Sequence, residues 1–153
     1  MATANITNTN QLVKIFQARV KMAVKMTQDD IYKTIQRYIT AYYEEGVFSG
    51  CSCIPDVYER TYRLLNSLIK TDIKVSGNSI SCTVEIDRNY LNYSYQGGVT
   101  GQQVMDWLND SWHGGTVQGE HEYWNEALTE LSGEQGIIWL MKYYLRKCGV
   151  PVV

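Results

Sequence analysis

Two prolines, two phenylalanines and two histidines in 153 residues each close off a possibility. Neither Pro nor Gly interrupts Gln11 to Glu45, so nothing local stops a long helix there. With only His113 and His121 available, a zinc site would have to draw on Cys51-Ser52-Cys53, whose single intervening residue is tighter than the usual metal and redox spacings. An excess of basic residues is also lacking. The formal charge is −2, which gives no whole-chain footprint for nucleic-acid binding. No run approaches the roughly 18 to 20 apolar residues of a membrane span. The polar start MATANITNTNQ has no basic segment leading into an apolar one, so no signal peptide and no oxidising compartment are expected. Cys51, Cys53, Cys82 and Cys148 are therefore predicted to be free thiols, Cys82 as a small buried hydrophobe.

Tyrosine is abundant: twelve, against two Phe. Its large apolar body and polar tip suit surfaces that are wet in one state and buried in an assembly. The chain is organised around Tyr58 to Asp87. Tyr58, Tyr62, Leu65 and Ile69 follow helical spacing, after which the period changes to two. Ile73 and Val75, then Ile80, Cys82, Val84 and Ile86, alternate with polar residues on two predicted strands. Gly77-Asn78 suits the tight turn between them, and Leu65 and Ile73 are expected in the core.

Residues 1–10 are expected to be flexible, and 11–150 to form one domain, long enough to bury roughly 70% of its unfolded surface. Helical spacing over Gln11 to Glu45 would allow about 50 Å of helix, and Thr27-Gln28-Asp29-Asp30 resembles a capping box that would break it in two. GVFSGCSCIPDV, residues 46–57, reads as a loop. Thr100 with Gln103 forms a second capping box, opening a helix whose inner face would be Val104, Trp107 and Leu108. Helices follow over Tyr123 to Leu131 and Glu134 to Cys148, the last with a wide apolar stripe and Gly149 as its C-cap. The fold class is α+β, with the long N-terminal helix and the C-terminal helices on one face of a small antiparallel sheet.

Charge is uneven. Residues 1–43 hold six basic and two acidic residues, +4, whereas 101–135 hold seven acidic and none basic, −7. The two regions can meet within one subunit or between neighbours, because a head-to-tail ring needs two unlike complementary surfaces.

Catalytic groups are sparse. His121 lies between Glu120 and Glu122 with no nucleophile, and the adjacent side chains of Ser111-Trp112-His113 point apart in regular structure. Asp106 and Asp110, four apart, are compatible with a divalent ion but match solvated acids near a helix end better. Gly97-Gly98 lacks the spacing and the Lys-Ser/Thr ending of a phosphate loop. No enzymatic activity, metal or cofactor is expected. The alternative is a small intracellular enzyme or toxin using His113 or His121.

The order of features resembles the tail-completion, or head–tail joining, proteins of tailed bacteriophages. The resemblance spans residues 11–148. It rests on Leu64-Leu65-Asn66-Ser67-Leu68-Ile69, on the alternation from Ile73 to Ile86, on Tyr93-Ser94-Tyr95-Gln96-Gly97-Gly98 and on Tyr123-Trp124-Asn125-Glu126-Ala127-Leu128. The chain departs from that pattern by inserting a helix, Gly101 to Asn109, and by lacking a Thr-Gly pair before the Leu. The resemblance implies a non-enzymatic virion protein, assembled in the host bacterial cytoplasm, that forms a hexameric ring, or a dodecamer, in the neck. Its neighbours would be the connector or head-completion protein and the tail tube or tail terminator. DNA would pass through the lumen, and no membrane is involved. A tail terminator, of related fold, is the alternative position. Interface residues expected on this reading are Lys21 and Lys25 on the basic side, Asp106, Asp110, Glu120 and Glu122 on the acidic side, and Tyr90, Tyr93 and Tyr95 along the axis.

Overall fold

A computed structural model describes residues 9–44, 62–77, 79–92, 98–109 and 123–152. Helix α1 (Thr9–Glu44) is a single unbroken element of 36 residues, about 54 Å long at 1.5 Å per residue. The break expected at Thr27–Asp30 does not occur. The Thr27 hydroxyl is buried and donates to the Ala23 carbonyl at 2.9 Å, one turn back in the same helix, where a capping hydroxyl would accept from an amide ahead of it. The three residues that follow are spent on neighbouring elements.

Helix α2 (Arg63–Asn66) leads into strand β1 (Leu68–Lys70), so Ile69 belongs to a strand and not to the helical face its spacing suggested. Strands β2 (Lys74–Ser76) and β3 (Ser79–Ser81) form the hairpin tip, and β4 (Val84–Ile86) returns beside β1. The single expected sheet is thus two antiparallel ladders, β1 with β4 and β2 with β3.

Their registers differ by one residue. Leu68 faces Ile86 and Lys70 faces Val84, and the Thr71 amide still reaches the Thr83 carbonyl at 3.0 Å. Beyond that point Lys74 faces Ser81 and Val75 faces Ile80. Asp72 and Ile73 therefore stand opposite Cys82 alone, which is a β-bulge. Leu68 and Val75 differ by an odd number of positions, so they can share a face only if one residue is inserted between them. With the insertion, Val75 joins the face of Ile80, Cys82, Val84 and Ile86.

Gln28, buried on α1, is the cross-link at this bulge. Its side-chain amide donates to the Thr71 carbonyl at 2.8 Å and to the Thr83 carbonyl at 2.9 Å. Gln28→Met keeps the length and removes both donors, leaving strand carbonyls facing an apolar group. A loss of about 1–3 kcal/mol is expected from denaturant midpoints, the range for an orphaned buried polar group; an unchanged midpoint would show the bond to be dispensable.

After a turn pinned by Asp87, whose carboxylate accepts from the amides of Asn89 and Tyr90, come α3 (Gly101–Asn109), α4 (Tyr123–Ser132) and α5 (Ile137–Lys147). The capping box expected for α3 is present. The Thr100 amide donates to Gln103 Oε1 at 2.9 Å and the Gln103 amide to Thr100 Oγ1 at 3.3 Å. Gly149, at φ +74°, closes α5 as expected, and Gly77 turns the hairpin at φ +56°. The core joins Ile35 and Ile39 of α1 to Leu64, Leu68, Ile86, Leu91, Met105, Tyr123, Ala127 and Leu131. Leu65 only packs against its edge and Ile73 is half-buried outside it, so the core positions expected of those two fall to Leu64 and Leu68. On α3, Met105 is buried and Val104 half-buried; the side chains of Trp107 and Leu108 lie outside the described set.

Candidate interface

The surfaces of the molecule are set by what covers α1. Helix α5 runs antiparallel along its first half. Arg19 donates to the Gly149 carbonyl at 3.1 Å, and the Thr27 hydroxyl lies 3.8 Å from the Met141 sulfur. The Tyr144 hydroxyl donates to Asp30 at 2.5 Å, and this bond, with burial, pushes the phenol's pKa up to about 12. Along the second half of α1, Arg37 is ion-paired with Glu130 of α4, and the Tyr38 hydroxyl donates to the same carboxylate at 2.8 Å, which raises the Tyr38 pKa. Asp29 pairs with Lys70 at 2.6 Å, and the Lys70 ammonium sits over the Tyr32 ring. The basic helix and the acidic C-terminal region therefore meet inside one subunit at Arg37–Glu130.

The expected interface residues are not gathered in one place. Lys21 and Lys25 are exposed on the half of α1 that α5 covers. Tyr90 is exposed in the turn after β4, its ring beneath the Arg63 guanidinium, which also donates to the carbonyls of Tyr90 and Asn92. Asp106, on α3, accepts from Gln102 at 2.5 Å and is exposed. Tyr93, Tyr95, Asp110, Glu120 and Glu122, with His113 and His121, lie outside the described residues, as do Cys51 and Cys53. Cys82 and Cys148 are free thiols, and burial raises the Cys82 pKa. No group of three or more potential metal ligands occurs among the described residues, and no described helix is long and apolar enough to cross a membrane.

What the sequence reading missed is the outer face of α5. This helix buries no residue completely. Ile138 is 75% exposed, and Ile137, Trp139 and Tyr143 are exposed too, with the Trp139 and Tyr143 rings stacked at 5.4 Å. The signal was present: eight of the eleven residues of Ile137–Lys147 are apolar or aromatic, too many for a stripe facing one neighbour. Beside Ile137, the outer side of α4 adds the exposed Leu128, and the two helices enclose an open groove of about 410 Å³ lined by Asn125, Leu128, Thr129, Leu131, Ser132 and Ile137. Aromatic and aliphatic groups concentrated in this way, with charged residues around them, have the composition of a protein interface.

The electrostatics are polar along the molecule. Thr9–Gln28 holds Lys14, Arg19, Lys21 and Lys25 and no acid, and residues 135–152, packed against it, hold Lys142, Arg146 and Lys147 and no acid. Seven positive charges thus share one end, leaving −9 for the remainder of a chain whose formal total is −2.

Residues 8–147 match the family model described as YomN. Among curated proteins and among solved structures, none matches.

Proposed function

The chain belongs to the YomN family and is phage-related, and from that premise we propose that it is a non-enzymatic structural protein of a tailed-phage virion. On this reading it forms a ring at the head–tail interface that completes the tail and joins it to the connector. The observation that carries the step from phage-related protein to neck subunit is the order of elements along the family-matched residues. A long helix, a short helix leading into Ser67-Leu68-Ile69, a hairpin and, beyond the additional helix α3, the Tyr123-Trp124 segment and the C-terminal helix follow one another in the order of the tail-completion proteins that the sequence resembles.

Two further features support a ring. Its subunits must each present two unlike surfaces, and this chain has a basic end, an acidic remainder and an exposed aromatic and aliphatic face. The exposed Tyr90 ring remains the described candidate for contacts along the ring axis. The test is quantitative mass spectrometry of purified virions together with cryo-microscopy of the neck. Stoichiometric copies, with density at the head–tail joint, are expected. Particles that contain none of the protein would exclude a structural role, and copies placed at the tube end would favour the tail terminator position.

A further inference from the structure

The apolar stripe of α1 overruns the helix that covers it. With Gly149 seated on Arg19 and α5 ending at Lys147, Thr9–Ala18 runs past the last turn of α5 as about 15 Å of helix. The stripe continues there as Leu12, 38% exposed, Val13, 52% exposed, and the half-buried Phe16. Short helical ends gain little stability in water without an apolar partner. At the other end of α5 the α4–α5 groove exposes Leu128, at 46%, and Ile137. Arm and groove are well separated. Met141 stands beside Thr27, about 22 Å along α1 from Leu12, and Ile137 lies one turn further from the arm.

We propose that the first turns of α1 of one copy dock in the α4–α5 groove of a second copy, head to tail. The arm brings Lys14 and no acid. Near the groove lie the exposed Glu134, in the turn between α4 and α5, and Glu126, in an adjoining hollow that shares Asn125 and Thr129 with it; neither makes an ion pair among the described residues, and residues 101–135 contain no basic residue. Apolar contact gives the affinity, and the opposite charges set orientation and encounter rate. Two unlike surfaces set far apart give a heterologous contact, which closes into a ring or extends as a filament. For its place in a particle this contact rests on the neck reading above.

The test uses the full chain and light scattering over a concentration series. Wild-type mass is expected to rise above the 17.5 kDa of one chain with concentration. An arm variant, Leu12→Asp with Val13→Asp, and a groove variant, Leu128→Arg, change exposed positions, so circular dichroism should be unchanged. Each alone should weaken self-association about tenfold or more. Mixed in equal amounts, they should give a species of twice the chain mass and nothing larger, because one intact arm meets one intact groove. Wild type that stays monomeric up to its solubility limit would overturn the proposal. So would either variant dimerising alone as tightly as wild type, the mark of a two-fold contact through another surface, or two folded variants whose mixture stays monomeric. A groove variant that melts lower with its mass unchanged would mean that the chain's own residues fill the groove. Self-association without copies in virions would sink the neck reading and leave this interface standing; copies in virions from a chain whose arm and groove are inert would do the reverse.

Discussion

The Gly101→Ala variant is expected to lose about 3 kcal/mol of stability, the upper end of what inserting a single group into a packed site costs. A Cβ at position 101 would lie 1.9 Å from the Arg88 carbonyl oxygen and 2.7 Å from its carbon, and these are backbone atoms that no rotamer change can move aside. The Gly101 amide also donates to Asn92 Oδ1 at 2.8 Å, so retreat from the clash breaks the bond that seats α3 on the turn after β4. That turn carries Tyr90, and its Leu91 is in the core. The Gly77→Ala variant is the control. It has the strain of a positive φ, but its Cβ would meet nothing within 4 Å, so about 1 kcal/mol is expected. Equal losses in denaturant melts of the two variants would show that the approach of α3 to Arg88 is not close in solution.

The Ile39→Ala variant should cost as much or more, about 2–5 kcal/mol for truncating a large aliphatic side chain in a core. Ile39 is 0% exposed and belongs to the cluster where α1, α2, the β1–β4 ladder, α3 and α4 meet, so no single neighbour can move in to fill the cavity. Leu65→Ala, at the edge of that cluster, should cost clearly less, and Ile138→Ala, on an exposed face, should fall within about 0.5 kcal/mol of wild type. If Ile138→Ala destabilised the monomer as much as Ile39→Ala, the outer face of α5 would be core and not an interface.

Several features were legible in the residues alone because they depend on neighbours in sequence. The α+β class, the capping box of Thr100 and Gln103, the positive φ of Gly77 and Gly149 and the helical stripe through Ile35 and Ile39 follow from backbone conformational preference and local periodicity. The family match over residues 8–147 bears out a phage-related chain.

What the sequence could not decide was the use to which a local pattern is put. Thr27-Gln28-Asp29-Asp30 has the composition of a helix start, yet α1 runs through it. The four side chains reach instead toward Met141, the carbonyls of Thr71 and Thr83, Lys70 and Tyr144. Polar side chains that cap a helix when nothing else is near can cross-link one when strands and helices pack beside it, and only the packing shows which. The hairpin follows the same logic. Alternation within each arm was readable, but the one-residue insertion at Asp72–Ile73 appears only when the arms are paired, because register is a property of two strands. Helix α5 is the third case. Its sequence determines that it is apolar over most of its circumference, whereas tertiary structure decides that α1 covers only one side and leaves Ile138, Trp139 and Tyr143 facing outward. The number of faces a helix can bury depends on how many neighbours reach it, and that is fixed by contacts distant along the chain.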